Sequence, residues 1–171
     1  MKKFFILILI LFFIFSCGYK YKSAKLKTPV KIYISSIENS TREPRLHNFF
    51  TEILKDEFIK RKDTYLVTDS EKADLILKGK ILNFNYSGIS FSVKDRALEF
   101  RASMKVEITL IDKNGVLLKT NYFNEYREFR TGISGNRNID VGINENLRTI
   151  IYKKISLLIA EDIFDWMFAG F

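Results

Sequence analysis

Residues 98–110 read Leu98-Glu99-Phe100-Arg101-Ala102-Ser103-Met104-Lys105-Val106-Glu107-Ile108-Thr109-Leu110, so apolar and polar side chains alternate without a break. Because successive side chains of a strand point to opposite faces, this stretch predicts a long β-strand with an apolar core face and a polar face in water. Antiparallel sheets commonly keep one face solvated, so the stretch also favours an antiparallel sheet.

A turn and a return strand follow this stretch. Asp112-Lys113-Asn114-Gly115 supplies the turn, since Asn and Gly accept the positive φ that tight hairpins need. The return strand is predicted from residue 116 to about 129. Apolar residues between turn signals predict further strands over residues 30–34, 65–68 and 73–84. Loops are predicted elsewhere: residues 38–41, a polar loop or ragged hairpin end over 85–96, and a mobile loop over 131–140.

Two amphipathic helices complete the predicted domain. Residues 45–61 follow Pro44 and carry apolar side chains at helical spacing. A second helix is predicted from about Asn144, a favourable N-cap residue, to Trp166 or Phe168. Residues 30–171 are therefore predicted to form one α+β domain. Its sheet would be mainly antiparallel with four to five strands, and both helices would pack on one face of it.

The N-terminal sequence indicates export. Lys2 and Lys3 precede an apolar run over residues 4–15, and Ser16-Cys17-Gly18 follows. A basic start, an apolar stretch and a small residue before a cysteine predict a lipoprotein signal, in which residues 1–16 are removed and Cys17 is acylated. At 1.5 Å per residue the apolar run would be only about 18 Å long, too short for a hydrocarbon core of roughly 30 Å.

The predicted lipid site is also the only cysteine of the chain. If Cys17 carries lipid, no disulfide can form within the chain, and residues 17–29 become a lipidated basic tether. The alternative is an ordinary secretory signal that leaves Cys17 as a free thiol, because Phe15 stands where lipoprotein signals usually have a small residue.

The chain is basic. Its formal net charge is +8, which falls to about +6 when the two lysines of the signal are removed. For an exported protein such an excess suggests phosphorylated lipid head groups, rather than nucleic acid, as the anionic partner. The alternative is a basic, soluble surface without a specific anionic partner.

The sequence contains no pattern that indicates catalysis. His47 is the only histidine, and its place among apolar helix residues is typical of a packing or surface residue. Gly132-Ile133-Ser134-Gly135 is one residue too short for the Gly-x-Ser-x-Gly nucleophile motif. Neither a His and Cys cluster for a metal nor a glycine-rich phosphate loop with a lysine is present. We therefore predict no enzyme activity, no metal and no cofactor.

The order of the motifs resembles the LptE-like family of lipopolysaccharide-assembly lipoproteins. The resemblance covers nearly the whole mature chain and rests on these segments: Cys17-Gly18-Tyr19, Val30-Lys31-Ile32-Tyr33-Ile34, Glu38-Asn39-Ser40-Thr41, the helix with Leu46, Leu54 and Phe58, Ala73-Asp74-Leu75-Ile76-Leu77-Lys78-Gly79-Lys80-Ile81, residues 96–110, the turn at 112–115 and the apolar C-terminal helix. Each segment alone is loose. TolB-N-like and CsgG-like envelope modules share the Ala-Asp-x-x-x-x-Gly pattern, so a subunit of another envelope assembly is the alternative.

The resemblance implies a lipid-anchored protein on the periplasmic side of the outer membrane, and Gly18, rather than Asp, after the cysteine favours that membrane. It also implies an LptD-type β-barrel partner that the protein plugs and helps to assemble, and contact with lipopolysaccharide in transit. The family's lipid contacts are basic residues near the loop end of the sheet. Here the candidates are Lys94, Arg96, Arg101, Arg127 and Arg130, and the aromatic partner-contact candidates are Tyr86, Phe91 and Tyr126. A solvated basic rim and core packing of the aromatic residues are the alternatives.

Overall fold

The computed structural model describes residues 29–91, 97–130 and 145–169. In chain order its elements are β1 (Val30–Ile34), β2 (Glu38–Asn39), α1 (Leu46–Lys60), β3 (Thr64–Leu66), a short 3₁₀ turn (Ser70–Lys72), β4 (Leu75–Phe91), β5 (Ala97–Asp112), β6 (Leu117–Arg130) and α2 (Glu145–Phe168). The predictions made for Cys17, the tether, residues 131–140 and the Asn144 cap fall on residues outside those described.

The six strands form one mixed sheet. Their order is β3-β1-β4-β5-β6, and β2 pairs with β4. β1 runs parallel to both β3 and β4, β2 runs parallel to β4, and the β4–β5 and β5–β6 pairs are antiparallel. The α+β class is thus confirmed, but the prediction of a mainly antiparallel sheet with four to five strands is wrong. Parallel pairing arises because α1 carries the chain back to the end of the sheet at which β1 starts.

β4 is longer than predicted and contains a bulge that shifts its side-chain alternation. Its pairing with β5 shifts between Ile81 and Asn83, which leaves Leu82 as the extra residue. Ile81 before the shift and Phe84 after it are both buried, although they are three residues apart. Residues 85–91, predicted as a polar loop or ragged hairpin end, instead continue the strand.

The sheet has two different faces. The first, here called the helix face, is covered by α1 and α2 and is apolar; its buried members on β5 are Ala102, Met104, Val106, Ile108 and Leu110. The other, here called the open face, is not covered by either helix. It carries polar and charged side chains, including Lys78, Asn83, Arg101, Lys105, Glu107, Thr109, Thr120, Tyr122, Tyr126 and Glu128. The predicted core face of residues 98–110 is confirmed from Ala102 to Leu110.

Both helices fill one core. The prediction of a helix over residues 45–61 is confirmed with the bounds Leu46–Lys60, and Arg45 before it adopts a left-handed conformation with φ of 62°. The rings of Phe58 and Phe164 join the two helices edge to face, with centroids 5.2 Å apart. Because a fully buried side chain of this kind contributes about 1.5–3 kcal/mol, this packing is the main source of stability.

Gly79 allows a close approach inside the core. A Cβ at this position would lie 2.7 Å from the Cδ1 atoms of both Ile37 and Ile108. The strand glycine therefore lets two isoleucine side chains meet over the backbone of β4.

The two ends of the sheet carry different parts of the chain. Val30 pairs with Thr64, Ile32 with Leu75, and Leu75 with Asp112. The start of β1, the start of β3, the β5–β6 turn and the start of β6 therefore lie together, and we call this the tether end because the chain enters β1 here. The opposite end, which holds Phe91, Ala97, Arg130 and the start of α2, is called the loop end.

Candidate functional site

Two ion pairs join β5 to β6 on the open face near the loop end. Arg101 lies opposite Glu128 in the ladder, and its Nη2 and Nε atoms donate to Oε1 of Glu128 at 2.6 and 3.2 Å. Arg130 lies opposite Glu99, with 2.7 Å between Nε and Oε1. The hydrogen bond to Glu128 raises the pKa of Arg101 above its usual value. The structure thus brings Arg101 and Arg130 together on one face, but each guanidinium is balanced by a carboxylate.

Two exposed tyrosines extend this surface toward the tether end. The guanidinium carbon of Arg101 lies 4.9 Å from the ring centroid of Tyr126, and Nζ of Lys105 lies 5.3 Å from that of Tyr122. At exposed sites such cation–π contacts are worth about 0.5–1 kcal/mol each. A hydrogen bond with Glu107 raises the pKa of Tyr122. Both rings remain more than half exposed, at 55% for Tyr126 and 56% for Tyr122.

Arg127 does not lie with the other arginines. It pairs with Ala102, a core residue of the helix face, whereas Arg130 pairs with Glu99 on the open face. Its side chain is exposed, and no ion pair to it is found among the described residues. Arg127 and Arg130 therefore lie on opposite faces of the sheet, because strand residues three apart face opposite sides.

The remaining basic candidates, Lys94 and Arg96, lie outside the described residues. In sequence Lys94 and Arg96 belong to the connection between β4 and β5, next to the loop end.

The backbone of Phe91, a predicted partner contact, pairs with Ala97 at the loop end.

Tyr86, a predicted partner contact, lies on the helix face instead. Its ring packs edge to face on Phe84 with centroids 5.0 Å apart, and its hydroxyl is buried. That hydroxyl makes no hydrogen bond of good geometry, although Tyr152 is near enough to affect its pKa. Burial, followed by the charge of Glu43, raises the pKa of Tyr86 to about 12. Tyr86 is therefore a packing residue at the edge of the core.

Glu43 ties the segment before α1 to the first turns of α2. The Tyr152 hydroxyl donates a hydrogen bond to a Glu43 carboxylate oxygen, and Nη1 of Arg148 lies 3.4 Å from the same oxygen. Asn39 fixes the backbone here, because its side-chain amide donates to the Glu43 carbonyl at 2.8 Å. Burial and the bond to Glu43 raise the pKa of Tyr152 far above its usual range.

The arginine pairs lie far from the tether end. β6 runs for 14 residues from Leu117 at the tether end to Arg130 at the loop end. At about 3.3 Å per residue this is roughly 43 Å, which exceeds the roughly 30 Å thickness of a hydrocarbon core. The open face is therefore long enough to extend through the hydrocarbon core of a bilayer.

The described residues also contain one sizeable cleft. A cleft of about 690 Å³ lies between α1 and the ends of β1 and β3, and its ionisable groups are Tyr33, Glu52 and Lys55. Within residues 29–91, 97–130 and 145–169, no three His, Cys, Asp or Glu side chains are placed to hold a metal ion. Neither α1 nor α2 is long and apolar enough to cross a bilayer.

The family follows from comparison with known proteins. The model of the LptE family, described as lipopolysaccharide-assembly, matches residues 30–167, which is most of the chain. The chain belongs to the LptE family. The resemblance predicted from its motifs is thereby confirmed. No curated protein matches the sequence significantly.

Solved structures share this LptE-family fold. Lipoprotein B from Nitrosomonas europaea is 17% identical, with a TM-score of 0.55, and the match covers 90% of this chain and 94% of that one. Rare lipoprotein B from Shewanella oneidensis is 12% identical, with a TM-score of 0.50, and the match covers 79% and 92% of the two chains. At these identities the likeness concerns the fold alone.

The sequence predictions missed the carboxylate partners. Glu99 and Glu128 balance the two arginines of the open face, yet neither was a predicted site residue. A signal was present, because opposite charges recur at nearly equal distances from the turn at Gly115, as expected for cross-strand pairs. The other missed residue, Glu43, pairs across such a long sequence distance that no local pattern indicates it.

Proposed function

We propose that this LptE-family chain is a lipoprotein of the outer membrane, anchored through acylated Cys17 and facing the periplasm. It plugs and helps to assemble an LptD-type β-barrel and contacts lipopolysaccharide on its way to the outer leaflet. The family match over residues 30–167 is the observation that carries this proposal. It favours lipopolysaccharide assembly over the other envelope assemblies that share parts of the motif order.

The open face supports a place inside a barrel. A barrel lumen is polar, whereas the outside of a barrel and the core of the membrane are apolar. Side chains such as Asn83, Lys105 and Thr109 on the open face match a polar lumen. Tyr122 and Tyr126 add exposed aromatic rings of the kind enriched where interfaces are most tightly packed.

The length of the sheet supports the same arrangement. If the tether end lies at the periplasmic surface, the roughly 43 Å length of β6 carries Arg130 past a hydrocarbon core of about 30 Å. The basic candidates then stand at the level of the outer leaflet, where lipopolysaccharide arrives. An acyl anchor would keep the domain close to its barrel and raise the effective concentration of the pair.

The charges refine the proposed lipid contact. Phosphate is recognised well by arginine, which can form two parallel hydrogen bonds to it. Arg101 and Arg130 would have to leave Glu128 and Glu99 to bind phosphate, but Arg127 would not. We therefore assign the first contact to Arg127 together with Lys94 and Arg96, and a secondary contact to Arg101 and Arg130.

Co-purification tests the proposal. The chain with a C-terminal tag would be extracted from membranes in mild detergent, and its companions identified by mass spectrometry. The proposal predicts an outer-membrane β-barrel protein in near one-to-one amount. A ring of this chain alone, or extraction without any barrel, would overturn it in favour of another envelope assembly. A variant with Cys17→Ser is the matched control for the anchor, since it keeps the domain and removes only the acylation site.

A further inference from the structure

Three consecutive apolar residues are exposed at the tether end. Val116, Leu117 and Leu118 follow the β5–β6 turn and are 56%, 60% and 46% exposed. Leu117 lies opposite Ile111 on the open face, and Leu118 is the extra residue where the β5–β6 register shifts between Leu110 and Ile111. The helices of the domain cover only one face, so they cannot shield the tip.

A second apolar corner lies at the same end, on the other edge of the sheet. Ile59 near the end of α1 and Tyr65 in β3 are 66% and 64% exposed. Thr64 fixes their place, because it pairs with Val30 and donates from its hydroxyl to the Phe58 carbonyl at 2.7 Å. Four strand spacings of about 4.8 Å separate β3 from β6, so the two corners stand roughly 19 Å apart.

The lipid anchor enters between these corners. Pro29 precedes β1 directly, and the eleven residues 18–28 lie between it and Cys17, which gives twelve Cα-to-Cα steps. At 3.3–3.6 Å per residue this segment reaches at most about 43 Å, and any shorter path brings the tether end nearer to the bilayer. Acylation of Cys17 would keep the domain within reach of lipid, and both apolar corners lie at the end of the sheet that the tether joins.

The end of α2 supports the hairpin tip. Nζ of Lys119 donates to the carbonyls of Trp166 and Met167 at 2.8 and 2.9 Å and lies 4.7 Å from the Trp166 ring centroid. The tip is therefore held against the last turn of α2, with the only tryptophan of the chain beside it. Tryptophan is enriched where apolar surface meets the head groups of a membrane.

We propose that the tether end is a membrane-contact surface, with Val116, Leu117 and Leu118 inserted among phospholipid head groups. Binding of this kind scales with the apolar area that leaves water. A polar barrel lumen would not accommodate the tip, so the bilayer surface is the partner that fits it. Near the tip itself, Lys113 is accompanied by Asp74 and Asp112. The inference rests on acylation of Cys17 in the proposed function and not on the barrel.

Fluorescence on the acylated full-length protein tests this surface. The protein would be reconstituted into vesicles of phosphatidylethanolamine and phosphatidylglycerol, with Leu117→Cys or, in a second variant, Val116→Cys labelled with the environment-sensitive fluorophore NBD. Ile89→Cys near the loop end is the matched control, since Ile89 is also an exposed strand residue. Acylated Cys17 does not react with the label, so the wild-type chain is the blank.

The proposal predicts a blue shift at residue 117 on vesicle binding and a loss of fluorescence with spin-labelled lipids, while the label at residue 89 changes little. Equal quenching of both positions by aqueous iodide would overturn it. A blue shift without quenching by lipid would also overturn it and assign the tip to a protein partner or a second copy. Labelling of the wild-type chain would remove the premise that Cys17 is acylated. Co-purification of the barrel is measured separately, so failure of the membrane contact is distinguishable from failure of the proposed function.

Discussion

The hydroxyl of Tyr152 donates a hydrogen bond to the carboxylate of Glu43, which lies 109 residues earlier in the chain. Glu43 precedes α1 and Tyr152 lies in the first half of α2, beside Phe84 in the middle of β4, so one contact links the segment before α1 to α2. Arg148 balances the same carboxylate from the preceding turn of α2. The packing of α2 beside α1 is therefore supported by a half-buried polar cluster as well as by apolar side chains.

Removal of the Tyr152 hydroxyl is expected to destabilise the domain. Tyr152→Phe keeps the ring contacts with Phe49 and Phe84 but removes the tyrosine hydroxyl that donates to the Glu43 carboxylate, and Arg148 stays beside that carboxylate. A lost hydrogen bond to a charged, largely buried group should lower the free energy of unfolding by about 1–3 kcal/mol. Urea unfolding measures this, with Tyr122→Phe as the exposed control. Equal midpoints for both variants would contradict the role given to Glu43.

Alkaline pH is expected to weaken the fold through the same cluster. In the folded protein the pKa of Tyr86 is raised to about 12 from its ordinary value of 10.0, and that of Tyr152 is raised further. Above pH 10 the unfolded chain releases these protons while the folded chain retains them, so the free energy of unfolding falls as the pH rises. Well below pH 10 both tyrosines stay protonated in the folded and in the unfolded chain, so they add no pH dependence to the free energy of unfolding.

Unfolding between pH 9 and about pH 12 checks this, since both tyrosines titrate in the unfolded state near pH 10. The double variant Tyr86→Phe with Tyr152→Phe should lose part of the alkaline decline of the wild type. Identical slopes for the two proteins would contradict the assignment. Tyr65→Phe is the control here, because its ring is largely exposed to solvent.

Substitution of Gly79 is expected to disturb the core. In Gly79→Ala the new methyl group would lie 2.7 Å from Cδ1 of Ile37 and of Ile108, so both side chains must shift. Overpacking of this kind costs about 1–3 kcal/mol. Ile37→Val removes one of the two clashing atoms. The double variant should therefore lose less stability than the sum of the losses of the two single variants. Simple additivity of the two substitutions would show that the close approach is not what requires glycine.

Replacing single arginines by glutamine is expected to weaken lipopolysaccharide binding to different extents. Arg127→Gln should weaken binding about two- to five-fold at low salt, as for one exposed charge contact of 0.5–1 kcal/mol. Arg101→Gln should weaken it less, because Glu128 already balances Arg101. The difference in binding loss between the two variants should shrink as salt is added, because salt screens exposed charges. Lys55→Gln on α1 is the matched control for loss of one positive charge, and a larger loss for Arg101→Gln than for Arg127→Gln would contradict the charge argument.

The fold is predictable from the sequence where one pattern persists. The alternation from Ala102 to Leu110 places the core of β5 correctly, and helical spacing places α1 and α2. The direction of β1 and β3 is not encoded in such a pattern, since strands of five and three residues pair in whichever direction their connection allows. The second half of β4 reads as a loop because Ser87, Gly88 and Ser90 are typical of loops, although they continue the strand.

The candidate site is predictable in part for a similar reason. The period of two already separates Arg127 from Arg130, because residues three apart point to opposite faces of a strand. The balance of Arg101 by Glu128 depends on register, which is set by the turn and by the shift between Leu110 and Ile111. The burial of Tyr86 depends on packing against Phe84 and the first half of α2, and no local sequence pattern indicates it.

The central claim is that the open face lies against the wall of a barrel. A photo-reactive amino acid at Tyr122 of the open face, compared with one at Leu157 of α2, tests it most directly, since both side chains are exposed. The account predicts that irradiation of cells joins residue 122 to an outer-membrane β-barrel protein. An adduct with the barrel only from residue 157, or no adduct from residue 122 in a folded and membrane-bound protein, would contradict it.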